Sequence, residues 1–199
     1  MKQKQTLFLV EVAVFSALAY LLDLFSGFLF SRIWPQGGSV SIAMVPVFLM
    51  AFRWGVKGGV LTGFLFGLLQ FILGMSQIYH PVQGILDYLV AFALLGLAGI
   101  FASQVKASMQ EGNKKKWMAL VIAGTFIGSA LRFISHFLSG WIFFGSYAPE
   151  GQSAWLYSFI YNGTYMLPSM ILSAIVVILV ISAAPSRMVQ FANVSKKTM

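Results

Sequence analysis

Long apolar stretches with very few charges are the feature that most constrains how this chain folds. The sequence is 59% hydrophobic and only 9% charged, whereas soluble domains carry about 25% charged residues. A helix needs about 20 apolar residues to cross roughly 30 Å of hydrocarbon. The pattern predicts an all-α integral membrane protein that forms a single domain over residues 1–199. Six transmembrane helices are predicted, at about Thr6–Phe30, Ser41–Phe52, Val56–Leu73, Pro81–Gln104, Trp117–Phe144 and Ala154–Ala184.

The Lys and Arg residues sort to one side of these helices. All of the 13 basic residues except Arg32 and Arg132 fall near the termini or around the loops after the second and fourth helices. Cytoplasmic loops retain positive charge, so both termini are expected to be cytoplasmic. The connections at 34–39, 76–80 and 145–152 then face outward. The net charge of +8 is spread over several loops, which favours anchoring to anionic lipids over nucleic-acid binding.

The sequence lacks the residues that several classes of function require. It has no cysteine, which excludes disulfides, thiolate metal sites and cysteine nucleophiles. No G-x-x-x-x-G-K-[ST] segment is present, so the chain cannot hydrolyse ATP through a P-loop. Its two histidines, His80 and His136, are too few for a metal cage. We therefore expect no enzyme activity, no metal and no cofactor, and uptake against a gradient would need energy from a partner.

A few polar residues interrupt the apolar stretches instead of lying in loops. Asp87 falls roughly two turns into the fourth helix. An ionisable side chain inside the bilayer costs about 2.5–3.5 kcal/mol, so it indicates a function by default. The structural alternative is that Asp87 pairs with Arg132 or reaches the outer interface. Polar residues in the outer third of three helices predict a pocket open to the outside, and they are Asp87, His136, Tyr157, Tyr161 and Asn162.

The chemistry of this cluster indicates a class of ligand. A carboxylate offsets a positive charge, and aromatic faces add cation–π attraction of about 0.5–2 kcal/mol each. The amide of Asn162 offers a donor and an acceptor to a ring nitrogen and an exocyclic amine. Such a set suits a small, flat, cationic heteroaromatic molecule.

Aromatic residues near the helix ends have two interpretations. Trp and Tyr commonly form belts at membrane interfaces. That position is expected for Tyr20, Trp117, Tyr147, Trp155 and Tyr165. Trp34 instead precedes a Pro-Gln-Gly-Gly-Ser loop that could fold back over the pocket. Both an aromatic lid and a belt position stay open for Trp34.

Three motifs carry a family resemblance. The first is Gln-Gly-Gly-Ser-Val-Ser at 36–41, leading to Met-Val-Pro at 44–46. The second is His-Pro-Val-Gln at 80–83, followed by Leu-Asp-Tyr at 86–88. The third runs from Tyr157 through Tyr-Asn-Gly-Thr-Tyr-Met-Leu-Pro-Ser at 161–169. Over nearly the whole chain, the sequence resembles the thiamine-specific substrate-binding (S) components of energy-coupling-factor (ECF) vitamin transporters.

The resemblance implies a thiamine site at the outer face. Asp87 matches the acidic residue that faces the cationic thiazolium, with Tyr88 beside it, and His136 matches a ring-contacting histidine. Tyr157 and Asn162 match polar contacts, with Asn162 on the aminopyrimidine. The expected substrate-binding residues, including an aromatic of the loop after the first helix, are Trp34, Asp87, Tyr88, Arg132, His136, Phe144, Tyr157, Tyr161 and Asn162.

Two positions depart from the family pattern. Asp87 stands where some relatives have Glu, and it reaches one methylene less. Phe144, eight residues after His136, stands where some relatives have a stacking Trp, and Phe offers a weaker cation–π face. Both differences bear on affinity rather than on the identity of the ligand.

The resemblance also implies partners and a location. An S component works with a transmembrane coupling (T) subunit and two cytoplasmic ATPase subunits, in a bacterial cell membrane that it crosses several times. The family's docking motif is matched by Ala13 and Ala17 on the first helix. Small residues four apart permit close approach of helices, so packing within the bundle is the alternative for this pair.

Three other functions stay open from the sequence. The chain could be an S component for another heteroaromatic vitamin or precursor, such as hydroxymethylpyrimidine or riboflavin. It could be an intramembrane enzyme that uses His136 with Ser135 or Ser139, although no oxyanion signature is visible. It could also be a membrane scaffold without a ligand, for which the outer polar cluster would be surplus.

Overall fold

The computed structural model describes residues 2–30, 32–34, 37–73, 78–185 and 188, and these residues form helices and connections without a strand. The helical elements run in an order that matches the six predicted stretches. They are α1 (Lys2–Phe30), α2 (Met44–Trp54), α3 (Val56–Ile72), α4 (Pro81–Gln110), α5 (Lys114–Phe143) and α6 (Ala154–Ala183). The all-helical membrane fold predicted from the apolar stretches is confirmed.

Helix length separates these elements into two groups. Four of them, α1, α4, α5 and α6, have 29 or 30 residues and are long and apolar enough to cross a membrane. The other two, α2 and α3, have 11 and 17 residues. They are joined at Gly55, whose φ of 75° lies in the left-handed region that glycine adopts without strain.

The largest error in the predicted boundaries lies at the end of α4, before α5. The fourth helix continues to Gln110 rather than ending at Gln104, and the fifth begins at Lys114 rather than Trp117. The last turns of α4 and the first turn of α5 contain many polar residues, so a prediction from apolar residues ends each helix too early. The backbone hydrogen bonds of a helix do not depend on apolar side chains. The side chain of Asn113 accepts a hydrogen bond from the Lys116 amide at 3.1 Å and caps α5.

Glycines let α3 approach the backbone of α4 closely. A Cβ atom at Gly63 would collide with the carbonyl oxygen of Phe92, and one at Gly67 would collide with that of Tyr88. At Gly59 it would lie 2.6 Å from Cα of Gly96. Small residues four positions apart let two helices pack closely in this way. The contact fixes the segment of α4 that follows Asp87.

The central helix α2 fills the middle of the bundle. Its side chains at Val47, Phe48 and Phe52 are fully buried and belong to one core cluster with residues of α1, α4, α5 and α6. Trp117 also belongs to this core and is only 6% exposed. Its expected place in an interfacial belt was therefore wrong, because its ring faces the bundle interior while its neighbours in the first turns of α5 are exposed.

The two ends of the bundle differ in charge. At one end, which we call the basic end, Arg53 forms a two-point ion pair with Glu11 at 2.7 and 2.8 Å. The ammonium of Lys106 donates to the Arg53 carbonyl at 2.6 Å. Lys4, Arg53 and Lys106 line an open cavity of about 510 Å³ there. The opposite end, which we call the pocket end, carries the segments 32–34, 37–43, 78–80 and 144–153.

Candidate ligand-binding site

A cavity of about 300 Å³ lies at the pocket end, between the helices and the segment that follows α1. This volume is at the lower end of the range of about 300–1,000 Å³ that is typical of small-molecule sites. The structure brings all the sequence-predicted site residues to its wall. They are Trp34, Asp87, Tyr88, Arg132, His136, Phe144, Tyr157, Tyr161 and Asn162.

Asp87 is held at the cavity wall by three polar groups. Its Oδ2 accepts hydrogen bonds from Gln83 Nε2 at 2.7 Å and from Ser139 Oγ at 2.8 Å. Its Oδ1 lies 3.0 Å from His136 Nδ1. Asp87 is part of a π-helical turn, Ile85–Val90, and such turns inside α-helices are frequent at functional sites. The network supplies three donors, which suits an ionised carboxylate because it only accepts.

The contacts of His136 determine which ring nitrogen carries the proton. Arg132 Nε, which can only donate, lies 3.3 Å from His136 Nε2. The ring must therefore accept at Nε2 and carry its hydrogen on Nδ1, where it donates to Asp87. His136 is a neutral imidazole in this arrangement, fixed at both nitrogens, and it contributes a ring surface to the cavity.

Arg132 does not form the direct ion pair with Asp87 that was one alternative for it. Among the residues that the structure describes, the side chains that bond to Asp87 are Gln83, His136 and Ser139, and Arg132 is not one of them. The guanidinium of Arg132 instead stacks over the ring of Phe92, with its carbon 4.4 Å from the ring centroid. Asp87 and Asp23 both act on it electrostatically.

On α6, neighbouring side chains fix the amide of Asn162. Its Nδ2 donates to the Ser158 carbonyl at 2.9 Å, and its Oδ1 accepts from the Tyr165 hydroxyl at 2.6 Å. Ser158 in turn donates to the Phe137 carbonyl of α5 at 2.8 Å. Gly140 makes this approach possible, since a Cβ there would collide with Ser158 Oγ. The amide is thus presented to the cavity in one orientation.

The segment after α1 packs across α6 at the cavity mouth. Trp34 Nε1 donates to Thr164 Oγ1 at 2.9 Å, and the hydroxyl of Tyr161 donates to the Gly37 carbonyl at 2.9 Å. Gly38 has a φ of +102°, and a Cβ there would lie 2.6 Å from the ring of Tyr165. Only glycine satisfies both conditions. The segment therefore places the Trp34 ring on the cavity wall.

Aromatic rings border the cavity near the start of α4. Phe144 is buried, and its ring packs edge-on against Tyr79 with centroids 5.6 Å apart. Tyr147 lies 6.2 Å beyond it. Hydrogen bonding and charge repulsion from Tyr147 raise the pKa of the Tyr79 phenol above its ordinary value. The position eight residues after His136 thus presents an aromatic ring to the cavity.

Several cavity residues were not identified from the sequence. Asp23 and Gln70 line the cavity and are joined by a hydrogen bond of 2.7 Å. The cost of an ionisable group inside an apolar helix could have identified Asp23, as it did Asp87. Tyr20 and Tyr165 also line the cavity. Their assignment to an interfacial belt was wrong, because their helix faces turn toward the bundle interior.

The serines beside His136 are engaged elsewhere. Ser135 donates to the Leu86 carbonyl at 2.7 Å, and Ser139 donates to Asp87. Neither hydroxyl is directed at the imidazole, which argues against a serine nucleophile. Within the described ranges, no group of three His, Asp or Glu residues could hold a metal ion. The wall instead combines a carboxylate, an amide and aromatic rings, which suits a flat organic cation.

Ala13 and Ala17 lie away from the cavity on the outer surface of α1. Both are exposed, so packing within the bundle, the alternative for this pair, is wrong. Large apolar neighbours on the same helix, Val10, Val14 and Leu18, are exposed as well.

The chain is similar over nearly its whole length to known thiamine transporters. A family model described as "Thiamine transporter protein (Thia_YuaJ)" matches residues 9–189. Thiamine transporter ThiT of Bacillus subtilis (strain 168) is 50% identical over 184 residues, which cover 92% of this chain and 95% of that protein. ThiT of Lacticaseibacillus paracasei is 31% identical over 187 residues, covering 92% and 91% respectively. A solved structure of ThiT from Listeria monocytogenes is similar with a TM-score of 0.80 and 30% identity, covering 93% of this chain and 98% of that one.

Proposed function

Because the chain belongs to the thiamine transporter family, we propose that its cavity captures thiamine from outside the cell, as the S component of an ATP-driven ECF transporter. Membership confirms that the chain is a multi-pass protein of the cell membrane. It also confirms the expectation of a transporter rather than an enzyme.

The observation that carries this function is the position of Asp87 on the wall of an aromatic cavity. Thiamine has a permanently cationic thiazolium ring, and a carboxylate compensates its charge where water is largely excluded. The ring of Trp34 lies on the same wall and adds cation–π attraction of about 0.5–2 kcal/mol. Three donors orient the carboxylate before the ligand arrives, so little ordering remains to be done on binding.

The aminopyrimidine ring of thiamine is uncharged, and it fits the neutral polar and aromatic groups that α5 and α6 present to the cavity. The oriented amide of Asn162 and the hydroxyl of Tyr157 are suited to its ring nitrogens and exocyclic amine. The rings of His136 and Phe144 offer stacking surfaces. Arg132 and Tyr88 lie on the same wall, and we assign to them the contacts with the hydroxyethyl tail.

Charge supports the orientation of the protein in the membrane. Lys4, Arg53 and Lys106 lie together at the basic end, opposite the cavity. Positive residues accumulate on the cytoplasmic side, so the cavity opens outward and both termini are cytoplasmic. This orientation lets the site collect ligand from outside.

The energy for uptake must come from partners. The sequence contains no P-loop, so ATP hydrolysis belongs to the two ATPase subunits and is transmitted by the T subunit. The exposed pair Ala13 and Ala17 gives a partner helix close access to the α1 backbone. We therefore place the docking surface for the T subunit on this face.

Thiamine binding to the purified, detergent-solubilised chain tests the function, with quenching of tryptophan fluorescence as the signal. We expect saturable binding that weakens at least about tenfold in Asp87→Asn, equal to about 1.4 kcal/mol, and also weakens in Asn162→Ala. Glu111→Gln is the matched control, because it also neutralises a carboxylate but lies exposed at the loop between α4 and α5. Unchanged affinity in both Asp87→Asn and Asn162→Ala would contradict the proposed site.

Competition identifies the ligand within the class of heteroaromatic vitamins. Unlabelled thiamine should displace bound labelled thiamine, whereas riboflavin and hydroxymethylpyrimidine should do so only at much higher concentrations. If either competitor bound more tightly than thiamine, that competitor would be identified as the substrate, and the cavity would remain the proposed binding site.

A further inference from the structure

A second carboxylate lies in the cavity, and none of the contacts proposed above uses it. Asp23 of α1 lines the cavity and accepts a hydrogen bond from Gln70 Nε2 at 2.7 Å. Gln70 belongs to α3, so this bond joins the carboxylate of α1 to a neighbouring helix.

Asp23 shares the cavity wall with Arg132, which is the one Lys or Arg side chain among the described residues that line the cavity. Arg132 experiences the charges of both Asp23 and Asp87. Asp87 is already engaged by His136, Gln83 and Ser139. The guanidinium lies over Phe92 and donates to His136. The structure gives Asp23 a hydrogen bond from Gln70, whereas three groups bond to Asp87, so Asp23 is the carboxylate of the wall that is more available to balance the charge of Arg132.

The charges of the wall can be counted from its residues. Within the part of the chain that the structure describes, the ionisable side chains other than tyrosines that line the cavity are Asp23, Asp87, Arg132 and His136. With both carboxylates ionised and His136 neutral, as its hydrogen bonds require, two carboxylates and one guanidinium leave a single negative charge in excess. A monocation brings this cavity to neutrality. Without Asp23 the empty cavity would be neutral, and a bound monocation would leave a positive charge in a low-dielectric site.

We infer that Asp23 is a specificity-determining residue of the cavity: by compensating Arg132, it favours thiamine itself over phosphorylated thiamine. A phosphate carries a charge of about −1.5 to −2 at pH 7, and Arg132 is the group of the wall that would attract it. With Asp23 present, the phosphate meets an arginine whose charge is already balanced, beside a carboxylate that repels it. This inference rests on the proposed function and refines it.

The test compares the dissociation constants of thiamine and thiamine monophosphate for the full-length chain and two variants. In Asp23→Asn, thiamine should bind about tenfold more weakly while the monophosphate binds as well or better. The preference for thiamine then falls by at least about tenfold, equal to about 1.4 kcal/mol. In the double variant Asp23→Asn with Gln70→Glu, the carboxylate and the amide exchange places across one hydrogen bond, so the preference should return toward that of the unmodified chain.

Failure of this inference and failure of the proposed function give different results. The inference would be overturned if Asp23→Asn weakened the binding of both ligands equally, so that the ratio of the monophosphate to the thiamine dissociation constant stayed unchanged. Asp23 would then only support the structure. Should that variant fail to yield monodisperse protein, Arg132→Gln gives the opposite test. In Arg132→Gln the ratio of the monophosphate to the thiamine dissociation constant should rise, and a fall or no change in this ratio would overturn the inference. Absence of thiamine binding to the unmodified chain would overturn the proposed function as well.

Discussion

Nδ1 of His136 lies 3.0 Å from Oδ1 of Asp87. This hydrogen bond joins two helices through residues that are 49 positions apart in the chain. The contact fixes the imidazole on α5 and the carboxylate on α4 with respect to each other. Because Arg132 occupies the other ring nitrogen, the imidazole cannot turn over without losing both contacts. The cavity wall is therefore oriented before any ligand enters.

Ser139→Ala should weaken thiamine binding, because Ser139 Oγ donates to Asp87 Oδ2 at 2.8 Å from a fully buried position. Hydrogen bonds to charged groups contribute about 1.5–3 kcal/mol, so we expect a loss of about ten- to a hundredfold in affinity. Titration of the purified variant measures this. Ser135→Ala is the matched control, since its hydroxyl bonds to the Leu86 carbonyl instead. Equal losses in the two variants would show a general effect on packing between α4 and α5.

Trp34→Phe should release thiamine faster while keeping an aromatic ring over the site. The substitution removes the indole N–H that bonds to Thr164 Oγ1 at 2.9 Å. A hydrogen bond of this kind contributes about 0.5–1.5 kcal/mol net, so its loss predicts a thiamine dissociation rate about two- to tenfold higher. The rate is measured by chasing bound labelled thiamine with unlabelled thiamine. Thr164→Val should have a similar effect, and the double variant should add little. Trp155→Phe, on an exposed ring, serves as the control. Unchanged release in Trp34→Phe would mean that the bond does not hold the segment over the site.

Gly63→Ala should destabilise the protein and weaken binding together. Its Cβ would collide with the carbonyl oxygen of Phe92, a backbone atom that cannot rotate away. Overpacking of this kind costs about 1–3 kcal/mol, and the displaced segment of α4 follows Asp87 directly. Thermal unfolding in detergent, with and without thiamine, measures both effects. Gly163→Ala, where a Cβ would meet nothing within 4 Å, should unfold at or slightly above the parent temperature. Equal stability of the two variants would contradict the close contact of α3 and α4.

Leucine at Ala13 and Ala17 should separate binding from transport. Both residues are exposed on α1, so the bulkier side chains leave the cavity intact but keep a partner helix at a distance. We expect unchanged thiamine affinity in the isolated chain, with loss of co-purification with the T subunit and of cellular uptake. Ala119→Leu, at another exposed alanine on α5, is the control. Full uptake by the Ala13→Leu/Ala17→Leu variant would place the docking surface elsewhere.

The polar cluster was accessible to sequence reasoning because polar side chains are costly inside lipid. Asp87, His136 and Asn162 stand out against apolar neighbours, and the structure gathers them around one cavity. The same cost singles out Asp23, but it gives no indication that Gln70 is its partner. Trp117 and Tyr165 show the complementary error, since a large amphipathic ring suits either an interface or an interior. Which environment each ring meets depends on how its helix is rotated against its neighbours.

By itself, the sequence determined the membrane class, the number and order of the helices, and the residue types available for a ligand. These follow from local apolar length and from the cost of polar groups in hydrocarbon. Only the tertiary structure decided which groups meet, as when Trp34 bonds to Thr164 at a separation of 130 residues. It also decided the ring nitrogen on which His136 carries its proton and the charge balance around Arg132. Such contacts depend on helix rotation and close backbone approach, which no local pattern of residues specifies.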